Sequence, residues 1–263
     1  MMSMMQKKSL KPKKSLGQNF LMHQRIAERI ALTAQLVSDD TVLEIGPGTG
    51  MLTRELLKYA RKVIAVEADG ELCALLRTVF ADEIADGRLE LIHEDIRAFA
   101  VNTLPPGYRV VANIPYYLTG EIIRLFLDAA AQPRAMTLLV QKEVAERIAR
   151  AKKESILSLS VKAYGVPRYE FTVPRGAFRP APNVDSAVLS IRSISRANFT
   201  SLEEERRFFK LVRAGFAHKR KLLAKNMEGA GLFSEGVPEK ARAEDLSFSV
   251  WLSLARALQE VRP

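Results

Sequence analysis

The sequence has few of the residues that build disulfide frameworks and metal centres. Its 263 residues include one cysteine, Cys73, and three histidines. A single thiol excludes an internal disulfide and a multi-cysteine zinc site, and the histidines are not spaced as metal ligands. We therefore expect a protein without a bound metal, from a reducing compartment.

Long apolar runs are also missing. The sequence shows no secretory hydrophobic segment and no apolar stretch long enough to cross a bilayer. Its composition, with 48% hydrophobic and 27% charged residues, is typical of a folded protein with a sizeable core. We expect a monomeric, cytoplasmic protein that does not bind membranes.

Positive charge is present in excess. Lys and Arg number 40 against 30 Asp and Glu, which gives a net charge of +10 and a pI of about 9.8. Such a surplus favours a polyanionic partner, with nucleic acid as the leading candidate. Residues 1–14 hold five lysines and no acid. They predict a flexible basic arm, which is either a solvated tail or a phosphate-contacting segment.

From residue 41 onward, short β-branched runs alternate with helical patterns. The strands are predicted at 41–45, 62–66, 89–92, 109–112 and 135–140, and the helices at 51–59, 71–80, 120–130 and 141–151. This alternation predicts an α/β fold with a mostly parallel, Rossmann-like sheet. Two further runs, 170–173 and 186–191, predict an antiparallel hairpin at one sheet edge.

The pattern changes after residue 195, where only helical periodicity remains. A change from alternating strands and helices to helices alone is typical of a small helical domain attached to a larger one. We therefore predict an α/β domain at 15–195 and an all-α domain at 196–263.

The sharpest motif is E-I-G-P-G-T-G at 44–50, which follows the first predicted strand and opens a helix. Glycines let the backbone turn tightly and approach a nucleotide-like ligand closely. The spacing G-x-G-x-G departs from the dinucleotide fingerprint G-x-G-x-x-G, so a pyrophosphate cradle is disfavoured. The acid two residues before Gly46 suits a cationic amino-acid group instead.

Two more acids follow the next strands. Glu67 ends V-I-A-V-E, where a carboxylate can accept hydrogen bonds from ribose hydroxyls, and Asp95 is placed to meet an adenine edge. With the glycine loop, they predict a site for S-adenosylmethionine. Each feature alone has a structural alternative. A glycine loop can be an ordinary turn, and an acid at a strand end can be a helix cap.

The fourth strand ends in N-I-P-Y-Y at 113–117. If Asn113 Oδ1 and the Ile114 carbonyl accept the two N–H bonds of an exocyclic amine, the nitrogen lone pair can face a methyl donor. Tyr116 can stack on a base removed from its helix. The alternative is an ordinary Asx-Pro turn with a packed tyrosine.

Seven motifs in chain order carry a family resemblance. They are K-K-S-L-G-Q-N-F-L (13–21), E-I-G-P-G-T-G (44–50), V-E-A-D (66–69), E-D-I (94–96), N-I-P-Y-Y (113–117), Q-K-E-V-A-E-R-I (141–148) and F-R-P-A-P-N-V-D-S-A-V (178–188). The chain resembles the small-subunit ribosomal RNA adenine dimethyltransferases, the KsgA/RsmA family. This implies a class I S-adenosylmethionine-dependent methyltransferase that dimethylates two adjacent adenines near the 3′ end of small-subunit rRNA, in a pre-30S or 30S particle, during ribosome biogenesis.

The resemblance also implies roles for individual residues. Asn19 and Leu21 would cover the cofactor, and Gly46 would contact its methionine part. Glu67 would bind its ribose and Asp95 its adenine. The residues implied at the target base are Asn113, which also touches the cofactor, and the sandwiching pair Tyr116 and Phe178.

Two positions depart from the family pattern. The usual Tyr-Gly before L-S-V is replaced in E-S-I-L-S-L-S-V (154–161), and the usual lysine of the F-x-P-x-P-K-V-D-S motif is Asn183. Both lie near the expected RNA side, so they affect the expected substrate contacts and leave the expected cofactor site unchanged.

A second basic element lies near the C-terminus. From residue 206 to residue 227 there are eight Lys or Arg and no acid. Such a run is either a solvated face or an RNA-binding surface. In a chain that resembles rRNA enzymes we assign RNA binding to Lys219, Arg220 and Lys221.

Three other functions share some of these features. A large-subunit rRNA adenine dimethyltransferase of the antibiotic-resistance type has Q-N-F and N-I-P-Y as well, but Q-K-E-V-A-E-R-I favours the small subunit. A non-catalytic RNA-binding assembly factor would not need Glu67, Asp95 and Asn113. A DNA adenine methyltransferase fits the helical C-terminal region less well.

Overall fold

A computed structural model describes residues 12–13 and 16–260 of the chain. The expected basic arm at 1–14 lies outside the described residues except for 12 and 13, and so does the end of the expected C-terminal domain, 261–263.

Eleven strands are present among the described residues. They are β1 (Phe20–Leu21), β2 (Thr41–Ile45), β3 (Lys62–Glu67), β4 (Leu89–His93), β5 (Arg109–Asn113), β6 (Ala135–Gln141), β7 (Val166–Val173), β8 (Phe178–Arg179), β9 (Ser186–Arg192), β10 (Leu232–Ser234) and β11 (Leu258–Glu260). Seven of them form one sheet in the order β4-β3-β2-β5-β6-β9-β7.

The first five strands of that sheet run parallel, whereas β9 is antiparallel to both β6 and β7. The predicted parallel sheet with an antiparallel pair at one edge is therefore confirmed. Strand β2 is buried along its whole length, as expected for a central strand covered on both faces.

Ten α-helices accompany the described strands. They are α1 (Gln24–Thr33), α2 (Met51–Leu56), α3 (Gly70–Val79), α4 (Ala81–Ala85), α5 (Thr119–Asp128), α6 (Lys142–Ala149), α7 (Ile156–Tyr164), α8 (Leu202–Gly215), α9 (Leu223–Glu228) and α10 (Phe248–Arg256). The four predicted helices correspond to α2, α3, α5 and α6, with ends that differ by up to a few residues.

Helix α7 starts within the first departure from the family pattern. Ser155 Oγ accepts a hydrogen bond from the Ser158 backbone N–H, and Ser158 Oγ accepts one from the Ser155 N–H. This reciprocal capping satisfies two backbone donors that a helix start leaves free. The second departure, Asn183, is exposed in the segment between β8 and β9.

The C-terminal region is helical as expected, with one addition: β10 and β11 form a short antiparallel pair. The buried side chains Phe208 and Trp251 belong to the same apolar cluster as Phe126 and Leu138 beneath the large sheet. Gly215 fits this packing, because a Cβ there would lie 2.4 Å from the Trp251 ring. The helical region is thus anchored to the α/β body through a continuous core.

The parallel order places the chemistry-bearing loops together. Strands β2, β3, β4 and β5 are neighbours that point the same way, so the segments following them emerge at one edge of the sheet. Ligands in open α/β sheets bind at this carboxyl edge.

Candidate active site

A cleft with a cavity volume of about 120 Å³ lies at the carboxyl edge of the parallel strands. The loops after β2, β3, β4 and β5 form its floor and walls, and the segment 16–21 lies against it. The structure brings six of the predicted site residues to this cleft: Asn19, Leu21, Gly46, Glu67, Asp95 and Asn113. Three others, Ile114, Tyr116 and Phe178, do not line it directly.

The glycine loop is shaped for a close ligand. Gly46 has φ +64°, a left-handed conformation that favours glycine. A Cβ at this position would have only the Asn113 carbonyl oxygen near it, at 4.0 Å. No atom of the described residues therefore crowds the position of a Cβ at Gly46. The space beside Gly46 is available to a bound molecule.

Glu67 is held between two loops. Its Oε2 accepts a hydrogen bond from the Gly48 N–H at 3.1 Å, and its Oε1 accepts one from the Asp69 N–H at 3.0 Å. The residue is buried, and burial raises its pKa against the lowering effect of these backbone donors. A fixed carboxylate with lone pairs to spare suits two neighbouring hydroxyl groups.

Glu44 is a buried acid with an unused oxygen. Its side chain lines the cleft, the residue is 1% exposed, and Oε2 has no hydrogen-bond partner among the described residues. Burial raises its pKa to about 8; the neighbouring Thr53 hydroxyl partly offsets this effect, and the negative charge of Glu67 reinforces it. A cationic group in the cleft would give the unpartnered oxygen a hydrogen-bond donor and would favour the ionised carboxylate.

Asp95 has a neighbour that the sequence analysis missed. The Arg97 side chain binds both carboxylate oxygens, with Nη2 at 2.6 Å from Oδ2 and Nε at 3.0 Å from Oδ1. Because Arg97 donates these bonds, the pKa of Asp95 lies below its usual range. Asp95 also starts a turn, since its carbonyl accepts the Ala98 N–H at 2.9 Å. The carboxylate therefore both lines the cleft and shapes the loop.

The segment 16–21 is fastened at both ends of the cleft. Asp69 accepts hydrogen bonds from Lys13 Nζ at 2.6 Å and Gln18 Nε2 at 2.9 Å. Asn113 Nδ2 donates to the Asn19 carbonyl at 3.1 Å. Lys13, which the sequence placed in a phosphate-contacting arm or a solvated tail, is thus paired with a buried aspartate of the α/β body.

The residues expected at the target base lie beside the cleft. Ile114 is buried, and the Tyr116 hydroxyl is 2.6 Å from Ser186 Oγ. Burial raises the pKa of Tyr116. Phe178 pairs with Leu21 in the β1–β8 ladder, and it is only 4% exposed within an apolar cluster. The two aromatic rings are therefore not both open to an incoming base.

The basic residues expected to bind RNA lie elsewhere on the surface. Lys219, Arg220 and Lys221 are exposed in the turn between α8 and α9. None of them forms an ion pair with another described residue. Cys73 is buried.

Within residues 12–13 and 16–260, no three or more His, Cys, Asp or Glu side chains are grouped so that they could hold a metal ion. In the same part of the chain, none of the helices combines the length and apolar character needed to span a bilayer.

Sequence comparisons agree with this geometry. The model of a family described as ribosomal RNA adenine dimethylase matches residues 9–260. A protein named ribosomal RNA small subunit methyltransferase A from Dehalococcoides mccartyi (strain ATCC BAA-2266 / KCTC 15142 / 195) is 40% identical over 275 residues, covering 98% of this chain and 92% of the relative. A protein of the same name from Fusobacterium nucleatum is 35% identical over 262 residues, covering 95% and 98%.

Solved structures show the same relationship. The 23S rRNA methyltransferase ErmE superposes with a TM-score of 0.75 at 28% identity, covering 91% of this chain and 99% of that one. A dimethyladenosine transferase from Plasmodium falciparum gives 0.74 at 25% identity, covering 89% and 95%. The fold is that of the class I methyltransferases, and the chain belongs to the ribosomal RNA adenine dimethylase family.

Proposed function

We propose that this protein uses S-adenosylmethionine to dimethylate the exocyclic amines of two adjacent adenines near the 3′ end of small-subunit rRNA. It acts as a cytoplasmic monomer on a pre-30S or 30S particle. The observation that carries the proposal is the meeting of Glu44, Glu67, Asp95 and Asn113 around one cleft beside an open glycine loop. The full-length similarity to small-subunit enzymes supports the choice of substrate.

The cleft fits the cofactor group by group. Glu67 would bind the ribose hydroxyls and Asp95 the adenine edge, while the open backbone at Gly46 would accommodate the methionine part. Glu44 adds a carboxyl oxygen that has no other partner and that suits the ammonium group. Asn19 and Leu21 would cover the bound molecule from the segment 16–21. When bound, S-adenosylmethionine supplies a methyl group activated by its sulfonium charge.

Asn113 and Ile114 would orient the attacking nitrogen. Because Asn113 Nδ2 donates to the Asn19 carbonyl, the amide is held with Oδ1 as the acceptor for a substrate N–H. The Ile114 carbonyl would accept the second N–H, which draws the planar amine toward tetrahedral geometry. Catalysis then rests on positioning and hydrogen-bond acceptance, without a dedicated strong base or a covalent intermediate.

Tyr116 and Phe178 would sandwich the extruded adenine. The hydrogen bond between the Tyr116 hydroxyl and Ser186 supports this role, because it anchors the outer end of the side chain. Phe178 is buried and pairs with Leu21 in the β1–β8 ladder, so a base can reach its ring only after the chain around this pair moves.

Lys219, Arg220 and Lys221 would contact rRNA phosphates at a distance from the cleft. Their exposure and their lack of ion pairs with described residues leave three positive charges available to the backbone of the RNA. A helical RNA offers phosphates and shape more than readable base edges, and such a surface can use both.

The test is methyl transfer from labelled S-adenosylmethionine to small ribosomal subunits that lack the modification, followed by nuclease digestion and mass spectrometry of the nucleosides. Wild type and Asn113→Ala are compared, with naked rRNA and large subunits as further substrates. We expect dimethyladenosine at adjacent adenines near the 3′ end of the small-subunit rRNA with wild type, and almost none with the variant.

The likeness to ErmE gives a specific reason to include the large subunit. Dimethyladenosine in large-subunit rRNA alone would replace the proposed substrate with that one. Binding of cofactor and particle without any transfer would favour the non-catalytic assembly factor.

A further inference from the structure

The mouth of the cleft holds an arginine that the proposed reaction does not use. Arg97 lines the cleft two residues after Asp95, and its side chain is 51% exposed. No family motif among those quoted above includes it. Among the described residues, its side-chain hydrogen bonds all go to the carboxylate assigned to the cofactor's adenine.

Four donor contacts fix the Asp95 carboxylate. Oδ1 receives the Arg97 backbone N–H at 2.9 Å and Nε at 3.0 Å. Oδ2 receives Nη2 at 2.6 Å and a longer contact from Nε at 3.2 Å. This forked contact is the bidentate geometry that a guanidinium offers and that a lysine ammonium cannot reproduce. The plane of the carboxylate is therefore set by Arg97.

The same contacts limit what Asp95 can still accept. A carboxylate has about four lone-pair positions. The backbone N–H and the Nε–H of Arg97 fill both positions on Oδ1, and Nη2 fills one position on Oδ2. The longer Nε contact to Oδ2 shares the same single hydrogen, so one position on Oδ2 remains. That single acceptor matches one N–H of a 6-amino group. It would repel an oxygen placed at the same position.

We propose that Arg97 is a positioning residue that turns Asp95 into a single, directed acceptor and so makes the cleft select a 6-amino purine over a 6-oxo purine. The inference rests on the proposed cofactor and on the adenine role of Asp95.

Calorimetric titration with S-adenosylhomocysteine and its 6-oxo analogue, S-inosylhomocysteine, tests this without relying on turnover. Wild type, Arg97→Leu, Arg97→Lys and Asp95→Asn are compared. Arg88→Leu is the matched control, because Arg88 is an exposed arginine just before β4, at the opposite end of the strand from Asp95.

We expect Arg97→Leu to bind the 6-amino ligand about tenfold more weakly, the size of one lost charge-assisted hydrogen bond. Arg97→Leu should change the affinity for the 6-oxo ligand little, so the ratio of 6-amino to 6-oxo affinity falls. Arg97→Lys keeps the positive charge but cannot make the bidentate contact with Asp95. It should therefore keep only part of the preference for the 6-amino ligand. Arg88→Leu should match wild type with both ligands.

Several outcomes would overturn the inference. An equal loss for both ligands would show a general structural effect, and tighter 6-amino binding by Arg97→Leu would show that Arg97 blocks the site. If Asp95→Asn loses the preference while Arg97→Leu keeps it, Asp95 reads the base without help from Arg97. If wild type binds neither ligand, the proposed cofactor fails first and the inference falls with it.

Discussion

Replacing Glu44 by glutamine tests whether the cleft keeps a buried acid for its ligand at the expense of stability. The carboxyl has a pKa of about 8 in the folded chain against an ordinary value of 4.5, because burial disfavours its ionised form. Between these pH values the folded state holds a proton that the unfolded state releases, so wild-type stability falls as the pH rises through this window. At pH 9 the full loss is about 5 kcal/mol, at about 1.4 kcal/mol per pH unit.

Glutamine has the same shape but cannot ionise, so Glu44→Gln should escape this loss. We expect the variant to be about 3–5 kcal/mol more stable than wild type at pH 9 and nearly equal to it at pH 4.5. The variant should also bind S-adenosylhomocysteine about tenfold or more weakly, since a charged partner of the ammonium is gone.

Urea unfolding at pH 4.5, 7 and 9 measures the first effect, and calorimetric titration measures the second. Glu90→Gln is the control, because Glu90 is an exposed glutamate on the edge strand β4. A stability gain of the same size at all three pH values would refute the role of ionisation. A variant that is less stable than wild type at pH 9 would refute the description of Glu44 as an uncompensated buried acid.

Three further predictions concern the reaction and the RNA surface. Asn113→Ala should lower turnover by about 100-fold while changing cofactor affinity less, measured by single-turnover kinetics and titration, and an equal loss in both would contradict the catalytic assignment. Changing Lys219, Arg220 and Lys221 to glutamine should reduce the magnitude of the slope of log RNA affinity against log salt concentration by about two to three. An unchanged slope in the RNA-binding assay would show that these residues do not contact RNA phosphates. Lys13→Met should speed S-adenosylhomocysteine release in stopped-flow displacement, because one of the two side-chain bonds to Asp69 near the segment 16–21 is lost while that of Gln18 remains. An unchanged rate would show that the Lys13 bond does not retain the ligand.

The sequence predicts the parallel sheet and the position of the site acids because both follow from local pattern. β-branched runs give the strands, and the acids at their ends meet at one edge once the strands are parallel. Helix α1 was not predicted, and it lacks the usual start signals: His23 makes no side-chain cap and the first turn contains no acid. The cleft contacts that the pattern missed are tertiary, such as Lys13 with Asp69, which are 56 residues apart.

Arg97 is different, since it is only two residues from Asp95 and the E-D-I-R segment could have indicated the pair. Orientation of a site residue by an adjacent side chain is a general requirement of precise sites, and the i, i+2 pair of Asp95 and Arg97 meets it within one loop after a strand.

The segment 16–21 contacts both Asn113 in the cleft and Phe178 beside it. The Asn19 carbonyl holds the Asn113 amide, while Leu21 pairs with Phe178 in the β1–β8 ladder. If the segment moved away, Asn113 would lose the bond that sets the direction of Oδ1, and Phe178 would lose its strand partner. The same movement that exposes Phe178 would therefore release the amide that we propose orients the amine. With the roles proposed for Phe178 and Asn113, a productive complex needs Phe178 to become accessible by a change smaller than full displacement of this segment, with the Asn19 bond to Asn113 retained.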